Sequence, residues 1–281
     1  MSRPPSVIPL HGDFELAPHS SATRLPCKKF SSAPVSSSVQ WKLPTRRVLL
    51  SAVMISLTGT AQIGYQEAIS TVAFNATVIW EPVMHIGVIL ARSTFSVGCA
   101  AGCACFAFGA RILQLRSGLL LGAVFMTLTS LLFSLFKFVS NLAVFWLLRF
   151  FAGVPVGFFV GFQTIFISDI ALFAYRQNLL ALSGIAVPVG FLIAMALTRT
   201  GIFKWEECWY YSIMLPAIPS ALFFAYGIRL KEPPLILMMC GLEDDAKRSA
   251  QYYHGEEDVE QALSEALERL RAQVFAIRTV L

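Results

Sequence analysis

The sequence predicts an all-α polytopic membrane protein, with six transmembrane helices and a cytosolic amphipathic helix after them. Three observations carry this. Of 281 residues, 56% are hydrophobic and only 14% charged, where a soluble domain carries roughly 25% charged residues. Six uncharged stretches (48–66, 93–110, 117–136, 150–168, 177–198 and 208–228) meet or approach the length of about 20 residues that a helix needs to cross the hydrocarbon core. Finally, the basic residues collect on one side once those stretches alternate across a bilayer. The same composition excludes a disordered chain, a fibrous repeat and a disulfide-stapled module. Three of the six cysteines, Cys99, Cys103 and Cys105, share one apolar segment and read as a smooth packing face.

The elements follow in order. Residues 1–47 carry seven basic and two acidic groups, are rich in Ser and Pro, and lack an apolar run. They read as a disordered cytosolic tail, which leaves 48–66 as an uncleaved signal anchor. Residues 48–228 hold the six-helix bundle. The second span has an alternative start near Gly87, which would take Arg92 into the membrane. With the N-terminus inside, the inner segments counted as far as Arg248 hold fourteen basic residues and the outer loops four, so both termini are cytoplasmic. The sequon Asn75-Ala76-Thr77 then falls in the first outer loop as a glycosylation acceptor. Residues 229–281 form a cytosolic helical linker. Within it, Val259, Leu263, Leu267, Leu270, Val274 and Ile277 recur at helical spacing, with acids at the start and arginines toward the end. Glu265 and Arg269 stand four apart as an ion pair. This helix has three resting places open to it: its own bundle, a partner, or the lipid interface.

Enzymatic chemistry is not expected. There is no Gly-Lys-Ser/Thr phosphate loop and no His-Glu-x-x-His, the four histidines are scattered, and no nucleophile stands in a Gly-x-Ser-x-Gly setting. No metal and no cofactor is implied. The basic balance comes from the tail and the inner loops, so it does not point to nucleic acid. What stands out is polarity inside the membrane. Arg149 follows an apolar run and precedes 150–168, where an ionised side chain costs about 2.5–3.5 kcal/mol at mid-bilayer. Either it snorkels to the outer surface or it turns inward toward a cavity, with Glu67 as a partner. Gly153, Gly157 and Gly161 recur every four residues as a helix-packing groove. Pro188 with Gly184 and Gly190 would soften the fifth span. Asp169, Arg176 and Arg229–Pro234 bring acids and bases to the inner helix ends, either as a breakable latch or as solvated loop ends.

These residues in this order resemble the N-terminal six-helix half of a sugar porter of the major facilitator superfamily, in the glucose-transporter branch. Gly64-Tyr65 resembles the family's Phe-Gly-Tyr-Asn/Asp, and Ser96-Val97-Gly98 with Gly102 its Ser-Val-Gly-x-x-x-Gly. The run from Arg149-Phe150 through Gly153 and Gly157 resembles Gly-Arg-Phe-x-x-Gly. Asp169 with Arg176 resembles Glu-x6-Arg, and Glu232-Pro233-Pro234 resembles Pro-Glu-Ser-Pro-Arg. The chain departs from the family at Arg111, Gln114 and Leu115 in the loop after the second span. It departs again at Gly184, where the family has a sugar-contacting Gln, and at Leu235, where it has Arg.

The resemblance implies a multi-pass carrier of the plasma membrane that moves a small polar, sugar-like solute by alternating access. Gln66 stands where proton-coupled members have Asp, which implies facilitated diffusion. The implied solute or cavity face is Gln62, Gln66, Glu67, Arg149 and Ser183. The implied cytoplasmic gate is Arg116, Asp169, Arg176 and Glu232. The family has twelve spans, which implies that the six here form two three-helix repeats, and one half leaves its cavity wall facing lipid. The expected partners are therefore the solute, the bilayer, and a missing second six-helix half or a pairing carrier subunit. The alternative is a truncated, non-transporting half that docks through the Gly153–Gly157–Gly161 groove onto a full-length relative and regulates it.

Overall fold

The computed structural model describes residues 43–76, 84–133, 142–199, 212 and 214–280, and among them ten helices and no strand. Most of the N-terminal tail lies outside the described residues. Its last members, Arg46 and Arg47, already belong to α1 (Arg46–Thr58), whose first turn is capped by the Thr45 hydroxyl accepting from Val48 N at 3.4 Å. The first span is not one continuous helix. α1 stops at Gly59, and α2 (Thr60–Ala76) carries the chain on. α2 therefore runs past the expected end at Gln66, and Asn75 sits in its last turn rather than in a loop. Residues 68–74 continue small and apolar, so a single acid at Glu67 does not end the helix. Thr77 of the sequon lies outside the described residues.

α3 (Met84–Gly109) takes the earlier of its two expected starts and includes Arg92. α4 (Leu115–Leu132) follows a short turn. α5 (Leu142–Ile170) begins before the uncharged stretch and so contains Arg149 well inside it. α6 (Phe173–Arg199) has Arg176 in its first turn. α7 (Ala217–Gly227) is the described part of the sixth stretch. Arg46–Ser70, Leu115–Leu132, Ala143–Ile170 and Phe173–Leu197 are long and apolar enough to cross a membrane, while Ser93–Gly109 and Ala217–Gly227 are shorter apolar pieces. The fold is an all-α polytopic membrane bundle.

Two seams hold the bundle together. Along α3 and α5, Gly98 and Gly102 face Gly153 and Gly157 so closely that a Cβ on any of the four would stand 2.0–2.3 Å from a carbonyl oxygen of the other helix. Phe106 lies over Gly161. Along α2 and α6, Gly64 meets the Val187 carbonyl and Gly190 the Ala61 carbonyl in the same way, at 1.9 Å for an added Cβ. Small residues matter here because lipid supplies no hydrophobic drive between helices, and close backbone approach supplies the dispersion contacts instead. The groove on α5 is thus filled by α3 and is not an exposed docking surface. Gly190 is spent on packing, so it is not available simply to loosen the fifth span.

Exchanging the set α1–α2, α3, α4 with the set α5, α6, α7 turns the α3–α5 seam into the α2–α6 seam and maps the α4–α7 contact onto itself. That is what two three-helix repeats related by a pseudo-two-fold axis require. The core lies on α5, where Phe159, Phe162, Phe166, Ile167 and Ile170 are fully buried against Val48, Ala52 and Ile55 of α1, Leu119 and Ala123 of α4 and Phe223 of α7.

At one end of the bundle three further helices cover the helix ends. α8 (Pro234–Met239) starts with Pro at its first position, where no backbone donor is needed. α9 (Glu243–His254) has Glu243, Asp244 and Asp245 in its first turn and ends at Gly255, whose φ of 79° is the left-handed conformation a glycine accepts most easily. α10 (Val259–Val280) is the expected amphipathic helix, and it buries Val259, Ala262 and Ala266. Of its three open resting places, it takes its own bundle. Tyr253 donates to the Lys231 carbonyl at 2.7 Å, and Thr45 donates to the Tyr253 carbonyl, so α9 also closes over the start of α1.

Candidate solute site and end latch

Arg149 is fully buried, so it does not snorkel. Its Nη1 donates to Gln66 Oε1 at 2.7 Å and to the Gln66 carbonyl at 3.3 Å, and its guanidinium carbon lies 5.8 and 5.4 Å from the ring centres of Phe133 and Phe145. The cation is therefore held by one neutral amide, one carbonyl and two aromatic rings. Nε and Nη2 have no hydrogen-bond partner among the described residues. Glu67, the next residue along, is near enough to interact with Arg149 electrostatically, and it accepts from Ser96 Oγ at 3.5 Å.

Ser183 belongs to a second polar group that sequence spacing does not assemble. Gln163, on α5 and fully buried, donates from Nε2 to Thr60 Oγ1 and to Ser183 Oγ, both at 3.2 Å. Thr60 donates to the Ser56 carbonyl at 3.1 Å, and the Ser183 and Ser56 hydroxyls lie 3.1 Å apart. Four helices meet in this ring, at the break in the first span. The available signal was a single amide inside the apolar run of the fourth span.

Gln62 does something else. Its Nε2 donates to Ser220 Oγ at 2.7 Å and to the Pro216 carbonyl at 3.0 Å, which ties α2 to the start of α7. In this structure its amide is engaged between α2 and α7, apart from the Arg149 guanidinium and the Ser183 hydroxyl. Of the five expected solute residues, the structure places Gln66, Glu67 and Arg149 together, Ser183 in the ring, and Gln62 apart.

The four expected gate residues fall into two clusters instead of one. In the first, Glu232 accepts from the Arg116 backbone N–H at 3.1 and 3.3 Å and so supplies the N-terminal cap that Gln114 does not give α4. The Arg116 side chain reaches the last carbonyls of α7, donating to Gly227 at 3.3 Å and Ile228 at 2.5 Å. Burial pushes the Glu232 carboxyl above its ordinary range, and the Arg116 N–H and charge oppose that shift. In the second cluster, Glu265 and Arg269 on α10 do not serve as a pair with each other. Arg269 donates to the Ser168 and Ala171 carbonyls at 3.1 and 3.0 Å and lies 3.9 Å from Asp169, while Glu265 accepts from Phe173 N at 2.8 Å. α10 thus caps the end of α5 with a cation and the start of α6 with an acid, as the helix dipoles favour. Arg176 is close enough to Asp169 and Glu265 to feel both charges, and its guanidinium lies 5.7 Å from the Phe173 ring. Sequence charge-pairing missed the roles of Arg269 and Glu265 because their partners are backbone groups.

An apolar bundle with two interlocked small-residue seams, buried polar groups and charged caps on the helix ends at one side defines a class: a polytopic helical membrane protein of the carrier type. Residues 35–277 match the family model described as sugar (and other) transporter. The chain belongs to that family, the sugar-porter family of the major facilitator superfamily, whose members are transporters and not enzymes.

The solved structures it resembles include the proton:xylose symporter XylE bound to 6-bromo-6-deoxy-D-glucose (18% identity, 80% of this chain and 54% of that one, TM-score 0.68). They also include the inward-open xylose transporter XylE from E. coli (19%, 80% and 56%, TM-score 0.65) and a D-xylose-proton symporter (18%, 83% and 68%, TM-score 0.57). At this identity the likeness is one of fold. The chain spans about half the length of the XylE structures it matches. No curated protein matches it.

Proposed function

We propose that the chain provides the N-terminal half of a carrier that moves a small polar, sugar-like solute by facilitated diffusion with alternating access. The observation that carries this is the buried Arg149–Gln66 contact: a cation deep in α5 is held by a neutral amide. A proton-coupled cycle needs a group that gains and loses a proton against that cation, and an amide cannot do so. Glu67 is adjacent, so the test must address it as well. The two capped clusters at the inner helix ends act as the cytoplasmic latch, with both termini on that side in a plasma membrane. The second cavity wall comes from another six-helix half, because a lone half would expose its polar face to lipid.

The test is uptake of radiolabelled D-glucose and D-xylose in cells lacking their own hexose carriers. The chain is expressed alone and together with a C-terminal six-helix half of the family, with and without a protonophore. Saturable uptake that needs the second half and is indifferent to the protonophore is the expected result. Uptake abolished by the protonophore, and restored to indifference by Glu67→Gln, would reassign the chain to proton coupling. An antibody to the N-terminal tail, used on native membranes before and after deglycosylation, gives the size of the product and tests Asn75 as an acceptor.

A further inference from the structure

The ring of Ser56, Thr60, Gln163 and Ser183 pairs all of its acceptors and donors but two: the O–H of whichever serine accepts from the other, which can rotate to find a partner, and one fixed acceptor. Gln163 gives one N–H to Thr60 and one to Ser183, Thr60 gives its O–H to the Ser56 carbonyl, and one proton lies between the two serines. The fixed acceptor is Gln163 Oε1, which is buried with no donor facing it among the described residues. Turning the amide over does not help, because it exchanges an orphan carbonyl for an orphan NH2 group. A buried acceptor left unpaired costs about 1–3 kcal/mol, so its presence in the ring asks for a ligand.

Two glycines border the ring. Gly59, at the break between α1 and α2, stands directly over Oε1: a Cβ there would come within 1.9 Å of that oxygen. Gly184, next to Ser183 in sequence, has nothing within 4 Å of where its Cβ would be. The ring therefore has an acceptor sealed by the Gly59 backbone on one side and, on the other, a serine that is only half-buried next to the exposed Gly184. Along α5 it stands fourteen residues, or about 21 Å, from Arg149 toward the latch.

We propose that Gln163 is a solute-binding residue: its Oε1 accepts a hydrogen bond from one hydroxyl of a polyhydroxylated solute, with Ser183 beside it, at a subsite between the Arg149 region and the cytosolic latch. This rests on the carrier reading above and names a position for it. The ring is polar and uncharged, which selects neutral hydroxyl groups over ionised ones. The joint at Gly59 is where the first span bends to admit the solute, and the ring closes when it leaves.

The experiment uses the full chain co-purified in lipid nanodiscs with the C-terminal six-helix half of the uptake test, with thermal stabilisation as the readout of binding. The probes are D-glucose, D-xylose and the 2-, 3- and 6-deoxy derivatives of glucose. In the wild type, loss of one particular hydroxyl is expected to weaken apparent affinity about tenfold, the penalty of an unpaired buried acceptor. Gln163→Met, which keeps the side-chain shape without polar atoms, is expected to bind glucose about tenfold more weakly and to be indifferent to that one hydroxyl, while still discriminating at the others. Gln163→Met with the wild-type affinity profile, or with every derivative weakened equally, overturns the proposal and leaves the carrier reading standing. A wild type that responds to none of the sugars overturns both. If Gln163→Met does not insert, Ser183→Ala takes its place. It removes only the hydroxyl on the open side of the ring, and the same selective loss is expected. A uniform loss or no change refutes the subsite.

Discussion

Gly157→Ala places a methyl group where α3 leaves no room. Its Cβ would stand 2.0 Å from the Cys99 carbonyl oxygen, against a limit of 3.0 Å that real side chains essentially never cross, so α3 and α5 must part by about 1 Å. The obstacle is backbone on a neighbouring helix, which cannot rotate away, and overpacking of that kind costs about 1–3 kcal/mol. Against this runs a helix-propensity gain of about 1 kcal/mol for replacing glycine inside a helix. Gly184→Ala on α6 separates the two effects, because nothing lies within 4 Å of it and only the gain applies. Thermal unfolding of both variants in nanodiscs should therefore place Gly157→Ala below Gly184→Ala, by roughly 2–4 °C for each kcal/mol at this chain length. The seam is reciprocal: Gly98 meets the Phe150 carbonyl at 2.2 Å for an added Cβ. Gly98→Ala should cost about as much as Gly157→Ala, and the double variant less than the sum, since helices already parted for one methyl make room for the other. A Gly157→Ala midpoint equal to that of Gly184→Ala would refute the seam.

Glu232→Gln tests the first latch cluster through pH. Burial raises the Glu232 carboxyl in the folded chain, so the folded state binds that proton more tightly than the unfolded one, and stability is gained as pH falls through the folded value. The variant, neutral throughout, should be the more stable at neutral pH, with its advantage closing as pH falls into the carboxylate range. An advantage that stays constant with pH would remove the effect. Arg269→Ala should cost about 1–3 kcal/mol by stripping two charged hydrogen bonds from the end of α5, and it should speed hydrogen exchange on α10 while leaving α3 unchanged. Arg149→Met replaces a buried cation that has two unpaired donors with an apolar chain of similar reach, so its stability should be unchanged or raised by up to about 2 kcal/mol while uptake is lost. A loss of stability in its unfolding midpoint would mean the guanidinium is compensated more fully than its geometry shows.

The spans were legible because lipid solvates uninterrupted apolar runs, and such runs are visible without knowing any partner. Their ends were not. Hydropathy marks where a charge occurs, while the helix follows backbone hydrogen bonding, so α2 continues past Glu67 to Ala76 and α5 begins ahead of Arg149. The small-residue face of α5 could be read from its spacing, but the helix that fills it could not. Gln62 and Gln66 stand four apart on one face, yet two different neighbours reach that face, so one glutamine binds α7 and the other Arg149. At the latch the charged residues were identifiable, but most of their partners are main-chain N–H and carbonyl groups, which pairing acids with bases cannot find.

The two repeats are alike in their seams and unlike at their first helix. Gly98 and Gly102 against Gly153 and Gly157 have their counterpart in Gly64 against Gly190, so each tightly locked pair joins one helix of the first repeat to one of the second. The first helix of the first repeat is broken at Gly59, while α5 in the corresponding place runs unbroken through Pro155. The freed groups at that break are taken up by side chains: Thr60 returns to the Ser56 carbonyl, and Gln163 spans from α5 to join Thr60 and Ser183. Rigid backbone contacts cannot be exchanged one at a time, whereas hydroxyl–amide bonds can be, for a solute hydroxyl or a water at little net cost. In the alternating-access cycle proposed above, the joint between α1 and α2 and its ring of hydroxyls is therefore where bonds can be exchanged while the glycine seams stay locked.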